Sequence, residues 1–361
     1  MNIIRRVEDL PEPLRAGVLP EEAAYLRRLG EEPALRGIPL FGVTPHFASL
    51  AGSDAADPLR RQFFPSPAEA APDPFALADP LGEEAHRKAP RLIRQYEDRA
   101  LLLASGECAG YCRYCFRRIW ARKDTGFIDD TRLAPVLAYL ARHREIREAL
   151  ISGGDPLTAP DGALDRLLGS LRSVRPDLRL RLCTRVPITF PQRFDRGLLD
   201  LLKSYRPLRM AVHINHHREL SPPAREVLGA CADAGIPVLT QTVLLRGVND
   251  DAETLARLFA ACVDAGLSLY YLFQLDTAQG TAHFRVDLAD GLALYANLAS
   301  RGAALPVYAL DLPGGGGKIR LHEGVIAGKR EGAYLLRSPS GILYPYPAAS
   351  GCFKQLPAKR L

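Results

Sequence analysis

Three cysteines stand close together at Cys108, Cys112 and Cys115, in the stretch ECAGYCRYCFRR with spacing C-x3-C-x2-C. The next cysteine is Cys183, so the set is one thiol short of a closed four-ligand site. Three thiolates can hold zinc with a fourth ligand from elsewhere. They also suit a four-iron, four-sulfur cluster with one iron left open to a small molecule binding through nitrogen and oxygen. Two further stretches could do chemistry. Ser152-Gly153-Gly154-Asp155 carries two glycines that let a backbone approach a ligand closely. PGGGGK, residues 313–318, sets Lys318 behind four consecutive glycines. In isolation such a loop is more often a flexible turn with a solvated lysine. Four glycines beside an apolar strand are costly to order, however, and a lysine amine condenses with an aldehyde to form an imine.

These residues need elements to position them. Apolar runs suited to buried parallel strands recur at 99–104, 148–152, 178–184, 209–215, 237–245, 267–275 and 305–312. Amphipathic helical patterns lie between them, such as TRLAPVLAYLARHREIR and DAETLARLFAACVDAG. Strand starts about thirty residues apart match one β/α unit, and a run of such units favours a full or partial β/α barrel. Barrels gather their chemistry at the C-terminal ends of the strands. Those ends carry the cysteine loop, SGGDP, TRVP, HINH, LLRGVND, Gln274 with Asp276, and DLPGGGGK. Residues 1–95 are rich in proline between short helical patches, and read as an irregular helical segment that wraps a core. The expected division is that segment, a core over 96–304, and a C-terminal segment over 305–361 that carries Lys318.

Composition excludes several classes. Of 361 residues, 47% are hydrophobic and 24% charged, as in an ordinary globular protein. No run of eighteen apolar residues marks a membrane span, and the proline-broken, charged N-terminus lacks the apolar core of a secretory signal. A cytoplasmic location follows as the expectation, with the cysteines reduced. The net charge of +6 reflects either an anionic partner or an arginine-rich composition. No basic run interleaved with aromatics marks a nucleic-acid surface.

The cysteine spacing after the first strand, Tyr114 just before the third cysteine, and the glycine pair ending the second strand together resemble the radical S-adenosylmethionine enzymes. With the lysine loop added, the chain resembles the lysine 2,3-aminomutase family. The match is dense from Arg99 to Lys318: DRALLLASGECAGYCRYCFRR, LISGGDPL, TRVPITFPQR, HINH, TQTVLLRGVND, YYLFQLD, HFR and DLPGGGGK. The resemblance implies an α/β fold, a partial TIM-type (β/α)6 radical SAM barrel, catalysing interconversion of L-lysine and β-lysine. It implies that Cys108, Cys112 and Cys115 hold a [4Fe-4S] cluster whose open iron chelates S-adenosylmethionine. Ser152, Gly153, Gly154, Asp155, His213 and Gln241 fall on positions near that molecule. Lys318 would carry pyridoxal 5'-phosphate, with Arg99 contacting it. Arg117 would pair with the substrate carboxylate. Asp276 and Asp311 would hold the distal ammonium of lysine, since a buried ammonium needs paired charge.

The implied partners are a small-molecule amino acid, an electron donor such as flavodoxin or ferredoxin, and further copies of the chain in a homo-oligomer. The longer members of the family carry a C-terminal cysteine cluster for zinc. Here only Cys352 stands in that region, and Asp251 replaces a partner cysteine, so no structural zinc is expected. QGTAHF and the short length resemble the branch that supplies β-lysine for elongation factor P, whereas the complete DLPGGGGK resembles the plain aminomutase. A 2,3-aminomutase of ornithine or glutamate is a further alternative, as is a zinc or scaffold protein without enzyme activity. Cys183, Cys231 and Cys262 read as small core residues.

Overall fold

The computed structural model describes residues 1–31, 41–118, 120 and 124–348. Cys352 therefore lies outside the described residues. Seven strands run parallel in chain order: β3 (Arg99–Ser105), β4 (Glu148–Gly153), β5 (Arg179–Thr184), β6 (Leu208–His213), β7 (Val238–Val243), β8 (Ser268–Phe273) and β9 (Val307–Leu312). Their cores are apolar on both faces. Leu102, Leu103, Ile151, Leu182, Met210 and Val212 are all fully buried, because helices cover one face and the strands curl around the other.

The first three helices belong to the N-terminal segment: α1 (Glu12–Ala16), α2 (Pro20–Glu31) and α3 (Pro45–Leu50). Six of the parallel strands are each followed by a covering helix. These are α4 (Asp130–Arg142) after β3, α5 (Asp161–Val174) after β4, α7 (Arg196–Ser204) after β5, α8 (Pro222–Asp233) after β6, α9 (Ala252–Asp264) after β7 and α10 (Leu288–Ser300) after β8. The short α6 (Val186–Thr189) sits in the β5–α7 connection. Burial at Leu164, Leu167, Leu168 and Leu171 on α5 follows the three-four spacing of one helix face. Aspartates start four of these helices by accepting backbone N–H bonds: Asp129 from Arg132 (2.9 Å), Asp195 from Leu198 (2.8 Å), Asp251 from Thr254 (2.8 Å) and Asp287 from Ala289 (2.9 Å). So Asp251, singled out by its place after GVND, serves as an N-cap.

The six β/α units expected from the sequence are present, and the sheet then continues. β9 pairs in parallel with β8, and β10 (Gly317–Arg320) folds back antiparallel on β9. At the other edge a short hairpin, β1 (Arg87–Ala89) and β2 (Leu92–Ile93), pairs antiparallel with β3. The ten-stranded sheet is open as a ladder, but its two edges meet through other bonds. The Tyr96 hydroxyl accepts from Lys318 N (2.9 Å), Gln95 Nε2 donates to Gly315 O (3.2 Å), and Gly314 N donates to Pro80 O (2.8 Å). The partial barrel is thereby closed at the strand that carries Lys318.

A separate antiparallel sheet of β11 (Ile326–Arg330), β12 (Ala333–Arg337) and β13 (Leu343–Pro347) follows. Sequence reading did not anticipate it. Tyr346 anchors it by donating from its hydroxyl to Leu275 O (2.7 Å), beside Asp276. Among the described residues no helix is long and apolar enough to cross a membrane.

Candidate active site

The cysteine loop leaves β3 at Ser105, and β4 ends against it. Gly153 has φ of +119°, and a Cβ there would lie 2.2 Å from Ser105 O. A Cβ on Gly154 would lie 2.2 Å from Glu107 O. Gly154 N and Asp155 N donate to Ser105 O (2.5 Å) and Glu107 O (2.6 Å). The two glycines thus seat the second strand on the backbone just ahead of Cys108, a local reason for the motif that the sequence did not reveal. The Asp155 carboxylate is turned away to the third strand. It accepts from Thr184 Oγ1 (2.8 Å), Arg185 N (2.7 Å) and Leu157 N (3.0 Å). Burial pushes its pKa up to about 6 against the pull of those donors.

Arginines around the thiols are held by buried carboxylates. Glu69 receives Arg113 (2.8 and 2.6 Å) and Arg118 (3.0 Å), and all three are buried. Burial alone would raise Glu69, but Arg113 and Arg118 outweigh it and hold the carboxyl below its ordinary range. Arg118 also donates to Gln279 O (3.1 Å), so QGTAHF serves here as a brace for the cysteine loop. Arg185 reaches the Cys112 sulfur at 2.9 Å while donating to Gln62 (2.6 Å) and Glu219 (3.0 Å).

Cys108, Cys112 and Cys115 are half-buried on one turn. Burial first, then the neighbouring cysteines, raise Cys108 well above the usual thiol range and Cys115 to about 11. Among the described residues no group of three or more His, Cys, Asp or Glu is preassembled as a cage for a single ion. Zinc would draw its thiolates to about 2.3 Å from one centre, whereas an iron–sulfur cube spreads its ligands over separate corners. Three free thiols on one turn, with the Arg185 guanidinium beside them, fit a group that takes three thiolate ligands. Among the described residues His213 Nε2 is a buried polar atom without a hydrogen-bond partner, and its ring stacks on Tyr114 at 5.4 Å. Burial pushes His213 down to about 3, so it is neutral. His213 and Gln241 are register partners on β6 and β7. This orphaned nitrogen fits a polar ligand lying over the cysteine loop.

The second cluster of expected residues gathers at the barrel's closing edge. Asp311 on β9 and Lys318 on β10 are directly opposed, with Lys318 Nζ 2.5 Å from Asp311 Oδ2. The ammonium lies 4.0 Å over the Phe273 ring and 5.1 Å over Tyr271. An amine framed by aromatic rings in a half-buried lumen fits a planar aldehyde cofactor. Asp276 is pushed up to about 8, first by burial and then by the charge of Asp311. Arg99 starts β3, at the end of the strand remote from the cysteines. It pairs with Asp98 (2.8 and 3.1 Å) and lies 5.4 Å over Tyr96, whose hydroxyl meets Lys318. Arg117 joins the two clusters. Both Asp276 and Cys115 feel its charge, and Glu83 holds it at 3.1, 3.0 and 2.5 Å.

Sequence reading missed Glu83, Tyr96, Gln95, Tyr271 and Phe273. The aromatic run YYLF was visible, but its inward face was not. Cys231 and Cys262 are core residues as expected. Cys183 is instead half-buried among Arg181, Arg117 and Glu148, and faces the lumen.

A three-thiol loop at the C-terminal end of the first strand, braced by the glycine pair of the second, defines a radical S-adenosylmethionine protein. A family model described as the Radical SAM superfamily matches residues 103–259. The chain is 43% identical over 316 residues to a putative L-lysine 2,3-aminomutase of Treponema pallidum (strain Nichols), covering 84% of this chain and 89% of that one. It is 34% identical over 350 residues to an L-lysine 2,3-aminomutase of Bacillus subtilis (strain 168), covering 96% and 72%. It is also 31% identical over 324 residues to a glutamate 2,3-aminomutase of Clostridioides difficile (strain 630), covering 89% and 75%. The chain belongs to the lysine 2,3-aminomutase family.

Proposed function

We propose that this protein interconverts L-lysine and β-lysine by moving the amino group between carbons 2 and 3. One observation carries the choice of substrate: two carboxylates, Asp276 and Asp311, share a lumen with one guanidinium, Arg117. That arrangement complements a molecule with a carboxylate at one end and an ammonium at the other. The ion pair of the Lys318 ammonium with Asp311 supports that reading. Glutamate would bring a second carboxylate to this acidic pair, where like charge opposes it.

When bound, the cluster with S-adenosylmethionine supplies a carbon radical, and pyridoxal phosphate supplies the π-system over which the amino group moves. The chain's own residues do the rest. Cys108, Cys112 and Cys115 would hold the cluster. The backbone of Ser152 to Asp155, with His213 and Gln241, would line the S-adenosylmethionine site. Lys318 would tether the pyridoxal cofactor, and Arg99, which lies over the Tyr96 ring beside Lys318, would contact it. Arg117 would fix the substrate carboxylate, its planar fork suiting that group. Asp276 and Asp311 would fix the distal ammonium, so that the carbon chain is held at both ends. Tyr271 and Phe273 would orient the Lys318 amine, which lies over both rings. A small redox protein such as flavodoxin or ferredoxin as electron source, a cytoplasmic location and a homo-oligomer complete the reading.

The test is anaerobic turnover of reconstituted enzyme with S-adenosylmethionine, pyridoxal phosphate, a reductant and L-lysine, beside ornithine and glutamate. β-Lysine from the wild type and its loss in Asp311→Asn are expected. Turnover of glutamate or ornithine in preference to lysine would replace the substrate named here.

A further inference from the structure

Arg117 and Asp311 are the two charges expected to meet the ends of the substrate, and each is engaged by another side chain of the protein. Asp311 holds the Lys318 ammonium. Arg117 presents its Nε and Nη2 edge to both oxygens of Glu83, and the two side chains are 16% and 15% exposed. This is the paired, in-plane geometry with which a guanidinium grips any carboxylate.

Glu83 arrives there on a strap that crosses the mouth of the barrel. Leu77 N donates to Thr277 O (2.8 Å), next to Asp276. Asp79 then fixes the turn by accepting from Glu83 N and Glu84 N, both at 2.9 Å. Pro80 O accepts from Gly314 N (2.8 Å) in the glycine loop. Gly82 has φ of +62°, and a Cβ there would stand 2.9 Å from Gly314 C. One segment, residues 77–86, thus touches the Asp276 connection, the Lys318 loop and Arg117.

We propose that Glu83 competes with the substrate carboxylate for the Nε and Nη2 edge of Arg117, so that substrate binding displaces Glu83 and loosens the strap from the Lys318 loop. The inference rests on the reading of Arg117 as the carboxylate-binding residue. Joint occupancy is disfavoured. A second carboxylate on the same edge would add a charge to a lumen that already holds Asp276 and Asp311. Displacement also links recognition to chemistry. The ligand that takes Arg117 breaks the hold of Glu83, and with it a contact that restrains Gly314. Glu83 is thereby a specificity residue: only a ligand carrying a carboxylate can release it.

The experiment uses the cofactor-loaded enzyme under anaerobic conditions and two ligands, L-lysine and 1,5-diaminopentane, which is the same chain without the carboxylate. Dissociation constants are measured by calorimetry for the wild type, Glu83→Gln and Arg117→Gln. Amide hydrogen exchange of residues 77–86 and of Gly314 is followed on adding each ligand. Glu83→Gln is expected to tighten lysine by about tenfold, the scale of one half-buried charge pair, and to leave the diamine unchanged. Lysine, but not the diamine, is expected to speed exchange in the strap of the wild type. Parallel shifts for both ligands in Glu83→Gln would mean that Glu83 merely supports the fold, and would overturn the proposal. So would a strap whose exchange lysine leaves unaltered. The underlying reading fails separately: in that case Arg117→Gln leaves the ratio of lysine to diamine affinity where the wild type has it.

Discussion

Around the three cysteines, Arg113, Arg118 and Arg185 are locked by buried partners, whereas around Lys318 the charged side chains are partly open to solvent and hold one another. Glu69 and its two arginines are nearly sealed from solvent. The pairs Lys318–Asp311 and Arg117–Glu83 each keep about a fifth of their side-chain surface open. The difference follows the tasks. A cluster loop must hold three thiols in one arrangement, so its charges are fixed by partners that cannot be exchanged without leaving a buried ion bare. A substrate site must trade one partner for another, and a pair that solvent can reach is traded at less cost than a sealed one.

The largest effect should come from breaking the locked half. Glu69→Ala leaves Arg113 and Arg118 buried without their carboxylate, and should cost about 3–5 kcal/mol of stability. Denaturant unfolding of the cofactor-free protein would read it, and iron bound after reconstitution should fall in step. Gly153→Ala is next. Its positive φ alone costs about 1–3 kcal/mol, and its methyl would press on Ser105 O. Iron per chain should drop while the Lys318 half still takes up pyridoxal phosphate; equal loss of both cofactors would contradict the separation of the two halves.

The exchangeable half should answer to pH instead. Burial and Asp311 push Asp276 up to about 8, so it is protonated below that pH. An ammonium ligand needs it ionised. Lysine binding should therefore release a proton near neutrality and tighten as pH rises through about 8. Calorimetry in two buffers of different ionisation heat checks this, and Asp276→Asn should abolish the proton release. For the fold the same shift has the opposite sign. The native state keeps a proton that the unfolded chain has lost, so this group's contribution falls as pH climbs from about 4 towards about 8.

The two halves also differed in how legible they were from sequence. The cysteine loop, SGGD and PGGGGK are local motifs, and β3 to β9 are apolar runs bounded by turn residues, so spacing alone placed them. Glu83 could not be found that way. It meets Arg117 across 34 residues from a strap with no helical or strand periodicity. Cys183 was misread because a strand buried on both faces gives no alternation to say which side chains face the lumen. β11 to β13 escaped for the opposite reason. Stretches such as IAGKR and LYPYP mix glycine, proline and charge, and the sheet they form is anchored by Tyr346 and Tyr334, Tyr334 donating to Asp287 at 2.5 Å.

The central claim is that charge at the two ends of the lumen selects the substrate. The most direct measurement is the ratio of kcat/KM for L-lysine to that for L-glutamate, taken on the wild type and on Asp311→Asn. The account expects a large preference for lysine that falls by about tenfold to a hundredfold in the variant, the range of one charge-assisted hydrogen bond. A wild type that prefers glutamate, or a ratio that Asp311→Asn leaves unmoved, would contradict it.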